Sequence, residues 1–329
     1  MDKFKHFRLS LAIDAVRQAA FLCEHVRETL SATDTQSKAD KSPVTVADYG
    51  AQALILEKLK AGDPDTPAVA EEDADSLRSP DTAALAQRIE QEVERIVPGF
   101  SQTAILDAID RGNYTGGPEG AFWTLDPIDG TQGFLRQDQY AIALALIENG
   151  QPVLGVLGCP ALPGPSGQTG CIVAACRGAG VRIYTLEGED YTSVKVSATA
   201  SPKDARLCES VESGHSRHDW AAAVSKHLGL SLPSLRMDSQ CKYAAVARGE
   251  ADIYLRLPTR PGYEEKIWDH AAGALIVEEA GGTVTDIDGK KLDFGAGRTL
   301  RHNQGIIASN GRWHEQIVSA VGAEAPDQA

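Results

Sequence analysis

Apolar residues recur at helical spacing over residues 8–30, at Leu11, Val16, Ala19, Ala20, Cys23, Val26 and Leu30, which predicts a helix with one buried face. Residues 44–60 repeat the pattern with Val46, Ala47, Ala51, Leu54, Ile55 and Leu59, and Pro43 and Gly62 stand where start and stop signals belong. A third helical segment spans 84–97, ended by Pro98 and Gly99. The period then changes. Ala121 to Leu125 is a short apolar run before a turn, and Tyr140 to Ile147 is a second, followed by the hairpin pair Asn149-Gly150 and a third run from Val153 to Leu157. Residues 158–170 form the strongest Pro/Gly cluster in the chain, and the spacing places a domain junction there, dividing 1–157 from 158–329. Beyond it, 171–176 and 181–186 flank a further hairpin signal, Arg177-Gly178-Ala179-Gly180. Helices are expected at 218–228 and 239–248, a strand at 251–257, and a helix at 269–280 with Asp269 as its cap and Gly281-Gly282 at its end. The tail after Val321 is expected to be loose.

Composition narrows the possible functions more than the folds. A chain of 329 residues, 42% apolar and 24% charged, can bury a large core without disulfide or metal staples. Its formal charge of −14, from 46 acids against 32 bases, argues against a broad nucleic-acid footprint. A small anion is still admissible, because a few local cations or bound metals can hold one. Cys23, Cys159, Cys171, Cys176, Cys208 and Cys241 form no C-x-x-C pair and lack a following His-x₃₋₅-His, so no zinc site is expected. They read as reduced residues of a cytoplasmic protein. No secretory leader and no apolar run of spanning length is seen, so no membrane association is expected, and no obligate protein partner is implied.

The sharpest chemical feature is Asp126-Pro127-Ile128-Asp129-Gly130-Thr131, after the run at 121–125. Two carboxylates three residues apart on a turn can converge on one point, with the Ile128 carbonyl as a third oxygen, and hard divalent cations take all-oxygen ligands. The Gly130 and Thr131 amides at a helix start would suit a phosphate. A plain surface turn would use the same residues. Three further acidic positions stand apart: Glu71-Glu72-Asp73 after the apolar step Ala68-Val69-Ala70, Asp48 on the first turn of a helix, and Asp269 after Trp268. Each has an ordinary explanation as well, as a solvated charge run, a helix-dipole acid and an N-cap.

Taken together and in this order, Asp48, Glu71-Glu72, Asp126-Pro-Ile-Asp129-Gly-Thr131 and Trp268-Asp269-His270-Ala271-Ala272-Gly273 resemble the inositol monophosphatase superfamily over about residues 8–320. Four segments resemble its 3′(2′),5′-bisphosphate nucleotidase branch: Lys41-Ser-Pro-Val-Thr-Val-Ala-Asp-Tyr-Gly50, Gly130-Thr-Gln-Gly-Phe-Leu-Arg136, Asp238-Ser-Gln-Cys-Lys-Tyr243 and Glu265-Lys-Ile-Trp-Asp-His270. Plain inositol monophosphatases differ at Thr131 to Arg136 and tend to lack the Ser239-x-x-Lys242 pattern. One departure is Ala70, where the family usually has glycine before the paired glutamates.

The resemblance implies a layered αβαβα, sugar-phosphatase-like α/β fold in two domains with the active site between them, 1–157 binding metal and 158–329 binding substrate. It implies two or three Mg²⁺ ions held by Glu71, Asp126, the Ile128 carbonyl, Asp129 and Asp269, and sensitivity to lithium. Asp48 and Thr131, with Glu71, would orient and help deprotonate an attacking water, with no covalent intermediate. Substrate would meet Gly130, Thr131, His215, Ser216, Ser239, Lys242 and Arg256, the last two offering cations to a second phosphate. The implied reaction removes the 3′-phosphate of a small phosphorylated nucleotide such as adenosine 3′,5′-bisphosphate. Two alternatives stand beside it: an inositol or sugar (bis)phosphatase, and a non-catalytic phosphonucleotide sensor.

Overall fold

The computed structural model describes residues 3–30, 34–37, 43–212, 214, 216–260 and 262–326. The two helices expected at the N-terminus are α1 (Lys3–Thr29) and α2 (Val46–Gly62), joined through the short antiparallel pair β1 (Thr35–Ser37) and β2 (Pro43–Thr45). β3 (Ala68–Ala70) and α3 (Ala83–Ile96) follow. The next helix, α4 (Gln102–Asp110), is one the periodicity did not predict. It is capped by the Ser101 side chain and buries Ile105, Ala108 and Ile109, a span too short for a clear period.

The next elements build one sheet. They are β4 (Ala121–Asp129), the short helix α5 (Thr131–Leu135), β5 (Ala141–Glu148), β6 (Gln151–Pro163), β7 (Thr169–Cys176), β8 (Val181–Thr185) and β9 (Tyr191–Val194). Strands β3 to β9 lie in sequence order, parallel at β3–β4 and antiparallel thereafter. β5 and β7 are apolar at nearly every position because both faces of the sheet are covered.

The remaining elements are β10 (Leu207–Glu209), α6 (His218–Leu228), β11 (Leu235–Arg236), α7 (Cys241–Ala247), β12 (Ile253–Arg256), α8 (Ala271–Glu279), β13 (Thr283–Thr285), β14 (Ile306–Ser309) and α9 (His314–Ala323). They form a five-stranded sheet of order β11-β10-β12-β14-β13. Three apolar clusters stack five layers. α1 to α4 pack on one face of the first sheet, α7 and α8 fill the space between the sheets, and α6 and α9 cover the far face of the second. This is the αβαβα order. All six cysteines are buried and none is in a disulfide, and among the described residues no helix is long and apolar enough to cross a membrane.

The junction expected at 157/158 falls inside β6, where Gly158 pairs with Ile142 on one side and Ile172 on the other. The Pro/Gly cluster is the irregular end of that strand and a hairpin loop, where proline is tolerated. The change of sheet comes after Val194. At the other end, α9 runs through Ala323, past the point expected to be loose, and Val321 is buried and accepts a hydrogen bond from Trp220 Nε1 (3.0 Å).

Beneath α9, His314 is 8% exposed. Its Nε2 lies 2.8 Å from Thr285 Oγ1 and its Nδ1 2.8 Å from Ser309 Oγ. The Thr285 hydroxyl donates to Asp286 O and Ser309 Oγ accepts from Gly311 N–H. Nε2 therefore donates to Thr285, and in the neutral ring Nδ1 accepts from the Ser309 hydroxyl, so every partner is satisfied without a charge. Burial pushes His314 down to about 4. Between that value and about 6.5 the unfolded chain binds the proton and the folded one does not. The His314 contribution to stability should thus be flat above about pH 6.5 and fall as the pH drops towards 4, by at most about 3 kcal/mol. His314→Gln should flatten that slope in melting curves taken across the window.

Candidate active site

A cavity of about 570 Å³ opens at the end of β4, lined from both sheets. Its floor comes from the hexapeptide Asp126 to Thr131. This segment is not a free turn, as expected from the sequence, but the end of β4 itself. Asp126 pairs with Ala143 and Asp129 with Ala141, so three residues on β4 advance against two on β5. In a regular strand, residues three apart face opposite sides; the bulge turns both carboxylates to one side. Asp126, Ile128 and Asp129 all line the cavity, and the bulge also accommodates Pro127. Gly130 follows with φ 87° and launches α5; its conformation and its closeness to Ser239, 2.9 Å from where a Cβ would stand, both require glycine.

Glu71 enters from the end of β3, where its N–H donates to Leu125 O (3.2 Å), and Asp269 from a short turn of 3₁₀ helix before α8. Asp269 is therefore not the cap of α8, a position held by His270, and its carboxylate faces the cavity. Neighbouring Glu72 is buried away from it. Ala70 needs no glycine, because Gly112 makes the room: a Cβ on Gly112 would lie 2.6 Å from that of Ala70.

These acids are held at a strain in charge. Burial raises Asp129 to about 6, with Glu71 adding to the shift and Lys242, Arg256 and the Gln240 N–H opposing it. Burial likewise raises Asp269 strongly, against the pull of Arg256 and with Asp129, Glu71 and Glu265 adding to it. Each carboxylate is also oriented: Asp126 Oδ1 accepts from Ile128 N–H (3.1 Å) and Asp129 Oδ2 from Gln240 N–H. Glu71, Asp126, Asp129, Asp269 and the Ile128 carbonyl make an all-oxygen donor set whose repulsion a cation would relieve, which fits a hard divalent ion. The tighter group Glu265, Asp269 and His270, with donor atoms within 4.8 Å of one another, fits less well. Both His270 nitrogens are taken, Nδ1 at 2.8 Å from Tyr243 OH and Nε2 at 3.2 Å from Glu265 Oε2, and Glu265 already pairs with Arg256.

Asp48 is the helix acid that the sequence allowed, and it also contacts Thr131. With Thr45 it forms a capping box on α2, Oδ2 accepting from Thr45 N–H (2.8 Å) and Oγ1–H (2.6 Å). Its other oxygen lies 3.4 Å from Thr131 Oγ1, which is also 3.2 Å from Ile128 O. Asp48 does not line the cavity, and reaches it through Thr131.

The expected substrate residues divide. Ser239, with φ 62°, Lys242 and Arg256 line the cavity. Lys242 is 3% exposed, its Nζ 3.3 Å from Met237 O and 5.3 Å from the Tyr254 ring centroid; burial lowers its pKa, against the attraction of Asp129. Arg256 Nε lies 2.8 Å from Glu265 Oε2, an ion pair off the hydrogen-bonding line, and Nη2 3.9 Å from Asp269. Although buried, Glu265 is brought down to about 2 by Arg256 and His270. Ser216 is not brought to the cavity. It is 1% exposed, and its Oγ accepts from Leu257 N–H (3.0 Å) behind the wall. His215 lies outside the described residues.

Sequence reasoning missed several wall residues. Gln240 joins three parts of the site: its N–H to Asp129, its side-chain amide to Trp268 O (2.8 Å) and Gly273 N–H (3.1 Å). Asp238 takes Arg136 at 2.6 Å, and Arg136 also pairs with Glu212. Arg260, stacked 5.0 Å over Tyr263, lines the rim. Gln240, Asp238 and Glu265 stood inside recognised motifs, but hydrogen bonds to backbone leave no spacing signature. Arg260 and Tyr263 lie in an aperiodic loop.

Comparison with known proteins gives the family and agrees with the fold. The model of the inositol monophosphatase family matches residues 6–325. A 3′(2′),5′-bisphosphate nucleotidase of Schizosaccharomyces pombe is 46% identical over 95% of this chain and 94% of its own. One from Oryza sativa is also 46% identical, over 95% and 93%. Among solved structures, the extragenic suppressor protein suhB of Bartonella henselae superposes with a TM-score of 0.66 at 20% identity, covering 95% of this chain and 97% of that one. An IMPase of Thermotoga maritima does so with 0.66 at 24%, over 96% and 97%.

Proposed function

We propose that this chain, which belongs to the inositol monophosphatase family, is a 3′(2′),5′-bisphosphate nucleotidase that hydrolyses the 3′-phosphate of adenosine 3′,5′-bisphosphate to give AMP and phosphate. The observation that carries the substrate is the likeness, along almost the whole chain, to proteins of that activity. The family is metal-dependent, and the oxygen cage of Glu71, Asp126, Ile128, Asp129 and Asp269 supports two or three Mg²⁺ ions as the cofactor. Cations held there would neutralise charge on the transferring phosphoryl group and acidify a water.

The chain's own residues supply the rest. Thr45 occupies Oδ2 of Asp48, which leaves Oδ1 directed to the Thr131 hydroxyl. Thr131 Oγ1 can accept a proton from an attacking water while passing its own to Asp48, so the pair both orients the nucleophile and receives its proton. Lys242 and Ser239 line the same cavity beyond the acids, where a second phosphate needs a cation in a chain of charge −14.

A phosphate-release assay tests this. With Mg²⁺, adenosine 3′,5′-bisphosphate or its 5′-phosphosulfate analogue should be turned over faster than inositol monophosphate or inositol bisphosphates, and excess chelator should abolish activity. Preference for an inositol phosphate would favour the sugar-phosphatase alternative. Binding of nucleotide without phosphate release would favour a sensor.

A further inference from the structure

We propose that Arg298 is a positioning residue for the divalent-cation cage, tying the strand end that carries Glu71 to the segment that carries Asp269. This rests on the metal-dependent reading above. Glu71 and Asp269 belong to different parts of the fold: Glu71 follows β3, a three-residue strand at the edge of the first sheet, and Asp269 follows β12 of the second. A three-residue edge strand is a weak platform for a ligand that must meet its partners closely.

Arg298 joins the two. Its Nη2 donates to Ala70 O at 2.6 Å, the carbonyl immediately before Glu71. Its Nη1 donates to Gly112 O (3.2 Å) and Tyr114 O (3.1 Å). Gly112 O also accepts from Ala70 N–H (2.8 Å), and Tyr114 N–H donates to Ala68 O (3.0 Å), so the guanidinium closes the outer edge of β3. On its other side the guanidinium carbon lies 4.9 Å from the ring centroid of Trp268, the residue immediately before Asp269. The backbone completes the tie. Arg298 O accepts from Ile267 N–H (3.2 Å), Thr299 bridges Lys266, and Leu300 N–H donates to Glu265 O (2.8 Å).

The chemistry suits arginine alone. A planar fork can reach three carbonyls and present a face to an indole, whereas a lysine ammonium offers one point of contact. Burial disfavours the charge of Arg298, and Asp73 attracts it from a distance. Its guanidinium donors are committed to backbone carbonyls.

The test uses the full chain without nucleotide, with Mn²⁺ as the probe, followed by paramagnetic resonance and calorimetric titration, and melting curves alongside. Arg298→Met should weaken Mn²⁺ binding about 10- to 100-fold, the scale of losing a group that orients metal ligands. Arg298→Lys should recover part of the loss. At saturating Mg²⁺ the KM for nucleotide should change little. Arg177→Met, which breaks a remote pair with Glu278, controls for general loosening and should bind Mn²⁺ as the wild type does. Should Arg298→Met not fold, Arg298→Lys decides, and wild-type affinity in that variant overturns the proposal. Unchanged affinity in a folded Arg298→Met, or an equal loss in the Arg177 control, overturns it as well. If the wild-type chain binds no Mn²⁺, the metal reading falls and this proposal falls with it; if the wild type binds and the variant binds equally, only the role of Arg298 is lost.

Discussion

Asp129→Asn should lower kcat/KM at least ~10²-fold, the scale of removing one key electrostatic group, while leaving the metal-free protein at least as stable as before. The two effects have one cause. Asp129 is half-buried near Asp269 and Glu71, and desolvation raises its carboxyl to about 6. A raised acid means that the folded chain holds the proton where the unfolded chain has lost it. The Asp129 contribution to stability therefore falls as the pH rises from about 3.8 through 6, and at neutral pH the ionised group opposes folding. Asparagine keeps an oxygen for the Gln240 N–H and removes that opposition. It also removes one anionic ligand from the cage, so the cation should stabilise the variant less than the wild type. The measurements are kcat/KM by phosphate release, and melting temperature with chelator and with Mg²⁺. A large fall in the metal-free melting temperature would assign the lost activity to damage of the fold.

How much of this could be seen in the sequence depends on which force shaped each part. α1 and α6 follow from apolar spacing because each buries one face, and α6 occupies the expected residues 218–228; α2 carries enough of the same spacing to be seen, although α1, α3, α4 and β4 cover it on nearly all sides. α4 and β14 were not legible, since nine and four residues hold too few periods. The Pro/Gly cluster at 158–170 misled, because hairpin loops, bulged strand ends and linkers use the same residues, and only the pairing of Gly158 on both sides distinguishes them. At the site, the carboxylates were visible as types and order. The bulge that turns Asp126 and Asp129 the same way was not, since it depends on register against β5. Ser216 was misplaced for a related reason: a serine in a Gly-His-Ser stretch gives no sign whether its hydroxyl faces a ligand or, as here, the Leu257 amide.

Lys242 and Arg256 entered as equivalent cations for a second phosphate, and their surroundings now separate them. Arg256 is held between Glu265 and Asp269, so its removal disturbs the metal end of the site and should reduce turnover of every substrate. Among the described residues the near partners of the Lys242 ammonium are a backbone carbonyl at 3.3 Å and the face of Tyr254, and Asp129 and Asp238 attract it from further off. Burial lowers its pKa against that attraction, so a further negative charge in the cavity would favour the charged ammonium. A phosphate dianion supplies that charge, and a charge-assisted contact of this kind contributes about 1.5–3 kcal/mol, roughly ten- to a hundred-fold in affinity. Methionine has a similar volume and no charge, so Lys242→Met removes the contact without opening a void. On the proposed reaction, the variant should raise KM for adenosine 3′,5′-bisphosphate by that factor with kcat little changed, as expected for a contact made equally in ground and transition states. Adenosine 3′-monophosphate, which lacks the second phosphate, should be hydrolysed almost as before. Lys242 also attracts Asp129, and any loss through that route falls on both substrates alike and cancels in the ratio of their kcat/KM values. A ratio unchanged from the wild type would mean that Lys242 serves the acids or the fold, and that the second phosphate is bound elsewhere in the cavity.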